Sequence, residues 1–129
     1  MEATGKVVVL QPQDRVRQDA SPVAAIYRDM GTLAAEQVVT RALGELALTM
    51  SDLSAQVRAH DLADVPRQAR RLQRMADQLG LVSLGAVSGD LRRTLDQGDA
   101  TAFAAVWARL IRIAERSLAP GRDLLDQTV

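Results

Sequence analysis

The sequence predicts an all-α protein, and three observations carry that expectation. A hydrophobic fraction of 47% is dominated by Leu, Val, Ile and Ala, with Tyr27, Phe103 and Trp107 the only aromatics. Such a core suits close-packed helices better than sandwiched strands. Apolar residues recur at alternating spacings of three and four, which is the period of a half-buried helix. Gly31, Gly80 and Gly98 fall between these stretches, and Pro22, Pro66 and Pro120 at their starts or ends. A chain of 129 residues fits one domain.

Residues 1–20 carry Pro12 and alternating charges at Asp14, Arg15, Arg17 and Asp19 without a helical period. They read as an arm, extended or disordered, with Val7 to Leu10 as its one stretch suited to packing on the rest. Ser21-Pro22 then opens a short helix, because a serine hydroxyl can accept an orphan amide and proline needs no acceptor in a first turn. Gly31 ends that helix near Met30.

Thr32 is the expected cap of a long helix, with Glu36 near its positive end. Val39, Leu43, Leu46, Met50, Leu53 and Val57 form its inward seam, and the helix runs to about Ala59, roughly 40 Å at 1.5 Å per residue. Leu62, Val65, Ala69, Leu72, Ala76 and Leu79 repeat the spacing, capped by Asp61 or Asp64, with Pro66 tolerable in the first turn and Gly80 as terminator. Leu84, Val87, Leu91 and Leu95 make the next stripe, which stops at Gln97-Gly98. Asp99 caps a last helix bearing Phe103, Val106, Trp107, Leu110, Ile113, Ala114 and Ser117, and Pro120-Gly121 closes it. Four amphipathic helices with short connections imply an up-down-up-down four-helix bundle over residues 21–118, followed by a tail over 119–129.

Sixteen basic residues balance sixteen acidic ones, so no global field favours nucleic acid or an anionic membrane. No cysteine is present, which excludes disulfides and thiolate metal sites. The run Val7-Val8-Val9-Leu10 is too short for a signal-peptide core or a membrane span, and a cytoplasmic location is expected.

Residues 69–80 read Ala-Arg-Arg-Leu-Gln-Arg-Met-Ala-Asp-Gln-Leu-Gly. This stretch resembles the phosphotransfer helix of the histidine-containing phosphotransfer (HPt) domain family, whose pattern runs roughly Ala-His-x-Leu-Lys-Gly-x-Ala-x-x-Leu-Gly. Ala69, Leu72, Ala76, Leu79 and Gly80 match, whereas Arg70, Gln73 and Arg74 stand where His, Lys and Gly belong. The order of elements from Thr32 to Leu118 also agrees. The resemblance implies an HPt-like bundle in which residue 70 projects to solvent from mid-helix, facing a receiver domain of a two-component phosphorelay.

On a helical wheel of about 100° per residue, Arg70, Arg74, Arg67, Arg71, Asp77 and Gln73 all fall opposite the apolar stripe. Arginine cannot do the histidine's chemistry, since its guanidinium stays protonated and has no free nucleophilic nitrogen. Arg74 also fills the space a glycine would leave. The expected function is therefore a signalling protein that binds a receiver domain or histidine kinase without being phosphorylated on this helix. Its arginines would pair with the receiver's carboxylate cluster through parallel hydrogen bonds. A solvated helix face is the plainer reading of the same residues.

His60 is the only histidine. It can be read as a relocated phosphoryl carrier, but its place at a helix junction favours a C-terminal role toward the dipole and terminal carbonyls. One histidine cannot make a zinc site. Ser83 and Ser88 lack a histidine base, Gly85 and Gly89 do not form a phosphate-cradling loop, and the aspartates suit caps and surfaces, so no enzyme activity and no cofactor is expected. The alternative is a general helical adaptor or homodimer using Leu48, Ala55 and Leu124-Leu125 as an apolar surface. Nucleic-acid binding is disfavoured by Asp64 and Asp77 on the arginine helix. A receiver-binding bundle is expected to be a monomer.

Overall fold

A computed structural model describes residues 16–118, which form α1 (Ser21–Met30), α2 (Thr32–Arg58), α3 (Val65–Gln78), α4 (Val82–Asp96) and α5 (Ala100–Leu118). No strand occurs among the described residues. The expectations for residues 1–15, including the apolar Val7 to Leu10, and for the tail with Leu124-Leu125, lie outside that range.

The predicted stripes are largely the buried ones; Leu43, Val57 and Leu95 are half-buried, and Leu62, placed before α3 rather than on it, is 37% exposed. Val39, Leu46, Met50 and Leu53 of α2, Ala69, Leu72 and Ala76 of α3, Leu84, Val87 and Leu91 of α4, and Leu110, Ile113 and Ala114 of α5 meet in one core. Phe103, Val106 and Trp107 are half-buried against it. Each fully buried leucine contributes roughly 1.5–3 kcal/mol of transfer free energy, so the aliphatic core suffices without aromatic bulk. Helix α3 packs between α2 and α4, α4 packs on α5, and α5 makes a looser return to α2, an arrangement compatible with a bundle. Helix α1 folds back along α2.

Three helices end in the same hydrogen-bond pair, in which a residue in the left-handed region donates three residues back and its successor donates five back. After α2, His60 N–H donates to the Val57 carbonyl at 3.1 Å and Asp61 N–H to Gln56 at 2.9 Å. After α3, Gly80 reaches Asp77 at 3.1 Å and Leu81 reaches Ala76 at 2.8 Å. After α4, Gly98 reaches Leu95 at 3.1 Å and Asp99 reaches Thr94 at 3.2 Å. Glycine adopts φ of 74° and 65° at the second and third ends, but at the first His60 holds φ 55°, the one non-glycine among the described residues to do so. That conformation costs an L-residue about 1–2 kcal/mol, partly regained through lower unfolded-state freedom. His60→Gly is therefore expected to stabilise the fold by about 0.5–1 kcal/mol. Thermal denaturation reads this as a Tm raised by a few degrees; an unchanged or lowered Tm would contradict it.

Helix starts depart in detail from expectation. Ser21 does not cap α1. Its own N–H is bound by the Asp19 carboxylate at 2.9 Å, which holds that carboxyl below its ordinary range, while Pro22 occupies the first turn. Thr32 lies inside α2, behind Gly31, and makes no cap hydrogen bond. Asp64, not Asp61, precedes α3, but its side chain is taken by Arg67. Asp99 does cap α5, accepting from Ala102 N–H at 3.0 Å.

The end of the predicted arm is tied down. Asp19 N–H donates to the Gly80 carbonyl at 2.8 Å, Ser83 N–H to the Arg17 carbonyl at 3.2 Å, and Arg17 N–H to Ser83 Oγ at 2.7 Å. Residues 17–19 thus strap the turn between α3 and α4.

Candidate docking face

Helices α3 and α4 cross closely because α4 presents two buried glycines, one turn apart, to α3. A Cβ on Gly85 would lie 2.2 Å from Asp77 Oδ1, and one on Gly89 would lie 3.2 Å from Gln73 Nε2. Two of the six predicted face residues are consequently turned toward α4. Asp77 sets its carboxylate over the first turn of α4, where the helix dipole favours a negative charge. Gln73 is half-buried, and its Oε1 accepts from Arg92 Nη2 at 3.3 Å.

The four arginines all face water, as the wheel predicts. They divide by partner. Arg67 makes a two-pronged pair with Asp64, Nε to Oδ1 at 2.7 Å and Nη2 to Oδ2 at 2.8 Å. The Arg67 guanidinium holds the Asp64 carboxyl below the usual carboxylate range, and that carboxylate raises Arg67 in turn. Arg71 Nη2 lies 3.9 Å from Glu45 Oε2 on α2. Arg70 and Arg74, in the middle of α3, have no hydrogen-bond or ion-pair partner among the described residues. The face thus holds two arginines matched with nearby carboxylates and two without a partner among the described residues.

No family model matches the chain, and neither a curated protein nor a solved structure does. The face must therefore be read from its own chemistry.

Among the described residues no group of three or more His, Asp or Glu is placed to hold a metal ion, and no helix is long and apolar enough to cross a membrane. His60 is exposed at the end of α2, where its backbone supplies the turn. Ser88 Oγ, buried, donates to the Leu84 carbonyl at 2.8 Å, which occupies its proton inside α4. A cavity of about 220 Å³ opens at the bundle end between Leu62, Thr94, Leu95, Gly98 and Phe103; its one charged neighbour, Asp99, is engaged as the α5 cap. Leu48 is 68% exposed and Leu33 72% exposed on the outward side of α2.

Sequence reasoning did not find Glu45 or Arg92, because both come from other helices and nothing in their local sequence marks them. The Gly85-x-x-x-Gly89 spacing was a usable sign of the close crossing, since two small residues one turn apart let backbones approach.

Proposed function

We propose that the chain is an HPt-like, up-down-up-down bundle of a two-component phosphorelay that binds a receiver domain or histidine kinase, in the cytoplasm, without being phosphorylated on α3. The observation that carries this reading is the pair Arg70 and Arg74, exposed in mid-helix and unmatched by any described carboxylate. A receiver's acceptor pocket gathers several carboxylates, and guanidinium groups pair with carboxylates bidentately. The position that would need an imidazole nucleophile holds a permanently charged arginine, so occupancy without group transfer is the chemistry available there.

Titration of the protein with unphosphorylated receiver domains tests the reading. Arg70→Ala with Arg74→Ala is expected to raise Kd by about tenfold at physiological salt, and by more at low salt, where charge pairs are less screened. Unchanged affinity in a folded double variant would refute it.

A second reading, a helical adaptor or homodimer, is favoured by the exposure of Leu33 and Leu48 on α2. Light scattering separates the two, because apolar pairing through α2 requires a dimer and receiver docking through α3 does not.

A further inference from the structure

Arg92 on α4 resembles Arg70 and Arg74 in one respect: no described carboxylate neutralises it. The nearest acid in sequence, Asp90, is engaged on another side by Arg93 and lies 3.8 Å from Arg109 of α5. Arg92 Nη2 donates instead to the neutral amide oxygen of Gln73. Gln73 is adjacent to Arg74 in sequence and one turn from Arg70. It lies on the flank of α3 that meets α4, and Gly89 leaves it room there. The amide therefore draws a cation from α4 to the edge of the α3 face without cancelling its charge.

We propose that Arg92 is the third cation of the docking face, held by Gln73 as a positioning residue, and that it sets how a carboxylate-rich receiver pocket registers on the bundle. The inference rests on the reading of α3 as a receiver-binding face. Arg70, Arg74 and Arg92 then form a patch spanning two helices, bounded on one side by the self-paired Arg67–Asp64 and on another by Asp77, one turn beyond Gln73. An acidic partner is repelled at the Asp77 edge and attracted across Gln73. The patch thus favours one orientation of docking over its reverse.

Calorimetric titration of the full chain with an unphosphorylated receiver domain, at low and at physiological salt, tests this. Arg92→Ala is expected to raise Kd by roughly three- to fivefold, with a shallower salt dependence, and Arg92→Lys to recover part of the loss. Gln73→Met, which keeps bulk against Gly89 and removes the acceptor, is expected to weaken binding less than Arg92→Ala and to add nothing to it in the double variant. Arg93→Ala, whose guanidinium points to Asp90, is the control and should bind as the unaltered chain does. Circular-dichroism melting confirms that each variant is folded. Wild-type affinity in Arg92→Ala, alongside a loss in the Arg70 and Arg74 double variant, overturns this inference alone. Wild-type affinity in both, or no receiver binding by the unaltered chain, overturns the parent reading as well.

Discussion

Gly80→Ala is expected to remove about 3–4 kcal/mol of folding stability, the largest single-residue effect outside the aliphatic core. Two separate requirements meet at this residue. Its φ of 74° lies in the left-handed region, which costs alanine about 1–2 kcal/mol. In addition, a Cβ there would stand 1.8 Å from the Asp19 carbonyl oxygen and 3.3 Å from Pro22 Cδ. The first of these is backbone, and cannot move aside by changing rotamer. Relief requires the strap to lift, which breaks the hydrogen bond from Asp19 N–H to the Gly80 carbonyl and disturbs the start of α1. Chemical denaturation measures the loss. Gly98→Ala supplies the comparison, since Gly98 shares the left-handed backbone at φ 65° but has open space where its Cβ would go. That variant should lose only about 1 kcal/mol. Equal losses at the two positions would show that the strap contributes nothing.

The second large effect is a gain. The triple variant Arg70→His, Gln73→Lys, Arg74→Gly is expected to accept label from a phosphorylated receiver, and the unaltered chain is expected to accept none on α3. The substituted imidazole would project from the exposed mid-helix position that Arg70 occupies. An unprotonated ring nitrogen could then attack the phosphoryl group, forming an N–P bond as the receiver's aspartyl O–P bond breaks and the carboxylate leaves. A lysine at 73 supplies a cation beside the transferred charge, and a glycine at 74 opens space for it. A mid-helix glycine costs about 1 kcal/mol, which the core can absorb. Lysine also ends the Gln73–Arg92 hydrogen bond and sets two like charges together. Adding Arg92→Gln to the triple variant is the version least compromised by that repulsion. Acid-labile label on residue 70 is the supporting outcome. A folded variant that binds receivers but takes no label would show that the face docks in a geometry unsuited to transfer, and one that neither binds nor takes label would mark the motif as accidental.

Which residues face the core was legible because helix burial follows a period, and the period is written in the chain. Val39 through Val57 and Val65 through Leu79 needed only a count of spacings, and Arg70 opposite them needed only the same wheel. Helix ends were legible where glycine marks them, as at Gly80 and Gly98. The left-handed turn at His60 left no such mark, because a histidine holds there the backbone that glycine holds at the other two ends. Capping was misread at Ser21 and Thr32, because each is the first residue inside its helix, one past the cap position held by Ala20 or Gly31. Contacts between distant segments had no local trace. The strap of Arg17 and Asp19 on Ser83 and Gly80 joins residues far apart in sequence, and a polar stretch without a period reads as disordered whether or not a partner awaits it. The pairing of Arg71 depends likewise on Glu45, and the setting of Gln73 on Arg92, contributed by helices whose own patterns do not mention α3.

The two glycines of α4 have an effect beyond packing. With no side chain at 85 or 89 to hold the helices apart, α3 and α4 lie close together, and the proposed docking surface belongs to the pair. An excised α3 segment would keep Arg67, Arg70, Arg71 and Arg74 yet lack the neighbour that turns Gln73 and Asp77 to their places. A partner docking as proposed would read a fold, which a linear epitope cannot imitate.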